Sequence, residues 1–213
     1  VLCNFRRSAD TPLSAFRLPL STFSPAFSLI ELLVVIAILA IMATLAIPAV
    51  GSISKANNIN RGGQILGDQI VLARQEAANR NRDVEVRIIN LTNGLYVGYA
   101  AVQLWIADES GTNWSPVTKM SRLPEGVLIS SNPQLSPLLT NIDPTTHSTN
   151  FGSAGVRNYG GFRIRSSGVP DPSIGTNNNF LTVQPATATN GLATNYYTVR
   201  INHVTGRLSI HRP

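Results

Sequence analysis

Three histidines, one cysteine and eleven carboxylates are the side chains of this 213-residue chain that could ligate a metal or move protons. His147, His203 and His211 have neither the His-Glu-x-x-His spacing of a helical zinc pair nor a cysteine nearby, so they read as loop and hairpin histidines. Cys3 stands alone, which excludes an internal disulfide and a thiolate-rich metal site. Asp108 and Glu109 are adjacent: on a strand they would point to opposite faces, and together in water they make a solvated turn. No Gly-x-Ser-x-Gly elbow, phosphate-cradling glycine loop or dinucleotide fingerprint occurs. Catalysis, a metal and a cofactor are therefore not expected.

The carboxylate that demands an explanation is Glu31. It stands near the start of the run Phe27 to Val50, otherwise as apolar as lipid. Those 24 residues reach about 36 Å as a helix, enough to cross a hydrocarbon core of about 30 Å with some tilt. A cleaved secretory signal fits less well, because its apolar core spans about 7–15 residues, and here 16 run from Leu32 to Ile47. A charged carboxylate costs about 2.5–3.5 kcal/mol at the centre of a membrane helix and less near its edge. A Glu snorkelling at the interface is one reading, and a charge awaiting a partner of opposite sign is the other.

The order Ala26, Phe27, Ser28, Leu29, Ile30, Glu31, Leu32, Leu33, Val34, Val35, Ile36 resembles the cleavage and methylation motif of type IV prepilins and type II secretion pseudopilins. The resemblance implies that a prepilin peptidase cuts between Ala26 and Phe27, that the new amino group of Phe27 is methylated, and that Glu31 becomes the fifth residue of the mature chain. In that family this carboxylate pairs with the terminal ammonium of a neighbouring subunit during assembly. The family usually carries Gly where this chain has Ala26. Pro48 falls where pilin stems commonly carry a kinking proline. Lys and Arg flanking the run are nearly balanced, with Arg7 and Arg17 before it and Lys55 and Arg61 after it, so orientation follows from the resemblance: leader in the cytoplasm, head in the periplasm, one pass through the bacterial inner membrane. The implied partners are the peptidase, other pilin or pseudopilin subunits through the stem helix, and inner-membrane lipid.

The elements that must position these residues follow a simple order. Beyond Pro48 and Gly51 a second helical stretch places Ile59, Leu66, Ile70, Ala73 and Ala77 at spacings of seven, four, three and four, an apolar stripe on one face suited to packing on a sheet or on other stems. Arg74, Glu76 and Arg80 fall off that stripe. Gly62 and Gly63 lower helix propensity by about 1 kcal/mol each and mark a flexible or locally melted point. From residue 84 the pattern turns to strands: VEVRIIN and LYVGYAAVQLWIA around the hairpin signal Asn93-Gly94, then VTKMSRL and GVLISS. A closing hairpin presents Tyr197, Val199 and Ile201 on one face, turns near Thr205-Gly206 and returns through Leu208 and Ile210. Residues 132–161 and 167–195 read as long polar connections. The expected fold is α+β, a long N-terminal helix packed on a C-terminal antiparallel sheet. The expected divisions are leader 1–26, membrane stem 27–50, amphipathic helix 51–83 and β-rich head 84–213.

Within the pilin group, the segment LARQEAANRNRDVEVRI resembles the H-type (FimT-like) minor pseudopilins. Together with TKMSRLPEGVLIS it is most similar to the Verru_Chthon cassette protein D family. The net charge is +6, with a pI near 10.1. Residues 1–26 hold three Arg and one Asp, leaving 14 basic and 10 acidic side chains after the expected cut. Arg163 and Arg165 would share a strand face, and Arg157, Arg200, Arg207 and Arg212 would join them if the last strands are neighbours. Such a patch could hold phosphates, and some FimT-like pilins are associated with DNA uptake, so DNA is the alternative partner. An uncleaved, signal-anchored periplasmic binding domain is the alternative from a different class.

Overall fold

A computed structural model of the chain describes residues 27–171, 175, 177–188 and 191–213, with the side chains of residues 45–53 outside that description. The expected leader, including Ala26, lies outside the described residues. The chain divides into two units, Val1–Ala46 and Ile47–Pro213.

One helix assignment, α1 (Leu29–Arg80), covers the two helical stretches expected from the sequence. In the first unit its apolar side chains, such as Leu29, Ile30, Leu33 and Met42, are exposed. Pro48, the expected kink, lies within α1 in the stretch whose side chains are outside the described residues.

In the second unit the stripe Ile59, Leu66, Ile70, Ala73 and Ala77 is buried, in one core with Val86, Ile88, Leu104, Val183 and Val199. The sheet is therefore what covers the stripe. Gly62 and Gly63 are helical and close-packed, not melted. A Cβ on Gly62 would lie 3.0 Å from Val127 Cγ1, and one on Gly63 would fall inside the ring of Tyr197. Their missing side chains let the helix backbone approach the sheet, which offsets their poor helix propensity. The helix ends at Asn81, which has φ 50° and takes the left-handed position of a Schellman turn. The amide of Arg82 donates to Ala77 O at 3.2 Å and that of Asn81 to Ala78 O at 3.4 Å, turning the chain into the sheet.

The strands are β1 (Val84–Asn93), β2 (Tyr96–Ala107), β3 (Trp114–Pro116), β4 (Ser121–Arg122), β5 (Val127–Ile129), β6 (Ser148–Asn150), β7 (Val156–Ile164), β8 (Phe180–Pro185), β9 (Tyr197–Ile201) and β10 (Leu208–His211). They run antiparallel in the order β10-β9-β8-β5-β2-β1-β7-β6, with β3 and β4 paired to β2 beside this path. The architecture is α+β, a helix against a multi-stranded antiparallel sheet. The Asn93-Gly94 and Thr205-Gly206 turns fall where the sequence puts them, each with its glycine at positive φ.

The described residues of 132–161 and 167–195 hold more regular structure than their polar composition suggests. They supply β6, β7, β8 and a 3₁₀ turn, Pro137–Thr140, whose Leu138 and Leu139 are buried against β7 and β8. A strand was expected at Arg163 and Arg165, but the first part of β7, from Val156, hides in the sequence because Gly160 and Gly161 interrupt it. Those glycines are required there: a Cβ would strike Leu139 O at the first and Val86 O at the second.

β1 is buried on both faces over Val84–Ile89, where a half-covered strand would alternate. Its second face carries Glu85, Arg87, Ile89 and Leu91, and a second core of Ala101, Trp105, Ile142, Phe151 and Tyr159 covers it. The head thus has an outer layer of loop and short strand over the sheet face opposite the helix.

Candidate functional site

The N-terminal segment is built from Ser28 upward. Phe27 is exposed and precedes the helix, and Ser28 caps it. The amide of Glu31 donates to Ser28 Oγ at 3.2 Å and to Ser28 O at 3.0 Å. The Ser28 hydroxyl therefore serves as the N-cap, with the Glu31 carboxylate in the first turn where the helix dipole favours it. The sequence reading missed this local role, although the Ser-Leu-Ile-Glu spacing carried the signal. Glu31 is exposed among exposed apolar neighbours, Ile30, Leu32 and Val35. Among the described residues no helix is long and apolar enough to cross a membrane. The described side chains Leu29 to Thr44 account for about 24 Å of helix.

In the head, the charged groups form local structures. Glu85, 1 % exposed, accepts from Arg87 Nε at 2.6 Å and from Arg163 Nε at 3.3 Å. The Arg87 guanidinium lies 4.1 Å from the Trp105 ring centroid and 4.4 Å from that of Tyr159, so its faces are covered while its edge is ion-paired. Burial, followed by the Glu85 charge, pushes the Tyr159 hydroxyl above its ordinary range. No sequence pattern announced this cluster beyond the alternation of Val-Glu-Val-Arg, which puts Glu85 and Arg87 on one face.

The arginines considered for polyanion binding are spread over several elements, and most are engaged. Arg157 donates to Ala154 O, Arg163 pairs with Glu85 and lies over Trp114, and Arg165 stands 3.8 Å from Asp171. Arg200 donates to Asn179 Oδ1, and Arg212 lies over the Tyr197 ring. Arg207 sits in the approach to β10. β7 and β9, which carry Arg163 and Arg200, are separated in the sheet by β8, β5, β2 and β1, so the strand adjacency that would merge these residues into one patch is absent.

His147 lies beside Tyr159 and bonds to Asp143 O, His203 is in the last turn, and His211 ends β10. Among the described residues no three His, Cys, Asp or Glu side chains could hold a metal together. Asp108 and Glu109 occupy a solvated turn. Hydrogen bonds from the Ser110 hydroxyl, then from the Asn113 amide, hold the Asp108 carboxyl well below the usual carboxylate range.

Two of the clefts in the head have contrasting walls. One of about 200 Å³ has uncharged polar walls that include Asn90, Tyr99, Ser130, Asn132 and Gln184, and Gln184 Oε1 is buried without a hydrogen-bond partner. The other, about 230 Å³, lies between Lys55 and Ile59 of α1, Leu95 and Tyr96 of the first hairpin, and Glu125 and Val127.

No curated protein matches this chain. Two solved structures of the minor pseudopilin EpsH from the type 2 secretion system of Vibrio cholerae are similar to it, each at 14 % identity and a TM-score of 0.44. One alignment covers 73 % of this chain and 98 % of that protein, the other 74 % and 96 %. Residues 25–47 match the family model of the prokaryotic N-terminal methylation motif, spanning Phe27, Ser28 and Glu31. The N-terminal segment of this chain is therefore similar to the prokaryotic N-terminal methylation motif, the element through which the sequence resembles the type IV prepilins.

Proposed function

We propose that this protein is a minor pilin or pseudopilin, cut by a prepilin peptidase between Ala26 and Phe27, methylated at Phe27 and assembled into a type IV pilus-like or type II secretion pseudopilus-like filament. The observation that carries the reading is the methylation motif over residues 25–47, in which Glu31 is the lone carboxylate on an exposed apolar helix face. A carboxylate in that setting is tolerated when a cation lies against it, and the new ammonium of a neighbouring Phe27 is such a cation. Residues 27–50 are the membrane stem, with Pro48 shaping it, and the head from residue 84 onward stands in the periplasm. Membership in the H-type group, nearest the Verru_Chthon cassette protein D proteins, is the finer reading supported by LARQEAANRNRDVEVRI.

Mass spectrometry of the mature protein tests the first half: an N-methylated Phe27 is expected, and an intact leader would overturn it. Glu31→Gln tests the second. Glutamine keeps the size of the side chain and the backbone amide that bonds to Ser28, and removes only the charge. Cleavage should proceed while co-assembly with other subunits is lost, and unchanged incorporation would remove the role given to Glu31.

A further inference from the structure

The exposed large apolar side chains of the described head are single and scattered, with one exception: Leu95, Tyr96 and Val97 are consecutive, and Leu95 is 94 % exposed. The turn between β1 and β2 gives no reason for them. Asn93 pairs with Tyr96, leaving Gly94 at φ 66° and Leu95 as the two central residues, and such a turn normally follows its glycine with Asn, Asp or Ser. Three apolar residues in water at a hairpin tip cost solubility unless something covers them.

Their position in the fold indicates what does. β1 starts at the C-terminal end of α1 and runs back along it; its ten residues span about 33 Å, against about 39 Å of helix from Lys55 to Arg80. The tip therefore returns to the level of Lys55 and Ile59, with which Leu95 and Tyr96 share a cleft, and Asn58 Nδ2 bonds to Glu125 O on its wall at 3.4 Å. Lys55 is five helical residues, about 7.5 Å, beyond Val50, where the apolar run ends.

We propose that the β1–β2 hairpin tip is a membrane-interface anchor: Leu95 and Val97 enter the boundary between headgroups and acyl chains of the bilayer that holds the stem, and Tyr96 sits at headgroup level. This rests on the reading of residues 27–50 as a membrane stem. The composition suits the place, since aromatic residues with a polar end concentrate at membrane interfaces and apolar side chains bind by the area they bury there. The charges beside the tip are Lys55 and Glu125, which cancel, so insertion depends on apolar contact and is indifferent to anionic lipid. The anchor would hold the head against the membrane before assembly and release it when the subunit is drawn into a filament.

The test uses the full chain with Cys3→Ser and a single reporter cysteine, Leu95→Cys or Val204→Cys, labelled with an environment-sensitive fluorophore. Val204 lies in the β9–β10 turn beside Thr205, whose carbonyl meets Arg74, about 28 Å further along the helix than Lys55. The protein is reconstituted in phosphatidylcholine vesicles with and without phosphatidylglycerol. The expected result is a blue-shifted reporter at 95, quenched by nitroxide in the lipid tails and protected several-fold from aqueous iodide in both lipid mixtures, with the reporter at 204 fully accessible. Resistance of the protein to carbonate extraction together with a water-exposed reporter at 95 would overturn this inference alone. Carbonate extraction of the protein would overturn the stem reading and this inference with it. Protection at 95 that arises only in filaments would assign the tip to a neighbouring subunit and likewise overturn it.

Discussion

Arg74 donates from Nε to the carbonyl oxygen of Gly168 at 2.9 Å, and its Nη2 reaches Thr205 O at 3.1 Å. One helix side chain thus joins the turn after β7 to the turn between β9 and β10, strands that lie toward opposite ends of the sheet order. Gly206 packs so closely on Gly168 O and the Arg74 guanidinium that a Cβ there would collide with both. Arg74→Met should lower unfolding stability by about 2 kcal/mol, the scale of hydrogen bonds from a charged donor. Arg74→Lys should recover less than half, because an ammonium cannot span two carbonyls as a planar fork does. Urea unfolding of the full chain in detergent measures both, and the exposed Arg61→Met, expected to change stability by less than about 0.5 kcal/mol, is the control.

Gly63→Ala should be destabilising by about 1–3 kcal/mol, since the added methyl overlaps the Tyr197 ring. Gly67→Ala meets nothing within 4 Å and should stabilise by up to about 1 kcal/mol through helix propensity alone. Pairing Gly63→Ala with Tyr197→Leu in a double-mutant cycle should recover part of the first loss. Equal effects of the two glycine substitutions would show that propensity, not close approach, governs the helix.

Glu85→Gln removes the negative charge shared by Arg87 and Arg163 and leaves the Arg87 cation buried between two rings. The expected cost is about 3–5 kcal/mol, the penalty of an uncompensated buried charge. Glu85→Gln with Arg87→Met should regain most of it. Thermal unfolding of the native protein and the two variants decides the matter.

The Asp108 turn should respond to acid. Its folded carboxyl is depressed by the Ser110 and Asn113 hydrogen bonds, so its contribution to local order is complete above the unfolded value of about 3.9 and disappears as pH falls through the lower folded value. In an NMR titration the Ser110 and Thr112 amides should keep their neutral-pH shifts at pH 4 and lose them only in stronger acid. Asp108→Asn should abolish that transition, and a midpoint near 4 in the native protein would contradict the depressed carboxyl.

What the sequence alone determined is what depends on local order along the chain. The apolar run with Glu31, the stripe Ile59 to Ala77, the Asn93-Gly94 and Thr205-Gly206 turns and the closing hairpin are periodic or nearest-neighbour signals, and the described elements follow them. What only the tertiary structure decided is where non-local partners excuse an unfavourable local choice. Gly62 and Gly63 read as a break because propensity is a single-residue property, but Val127, Val183 and Tyr197 lie against them. The first part of β7 was hidden by Gly160 and Gly161, whose lack of side chains is required by Leu139 and Val86. Arg74 lies off the apolar stripe, yet two carbonyls about 90 and 130 residues downstream depend on it. In each instance the deciding energy comes from atoms brought together by the fold, and such contacts leave no period in the chain for a reader to find.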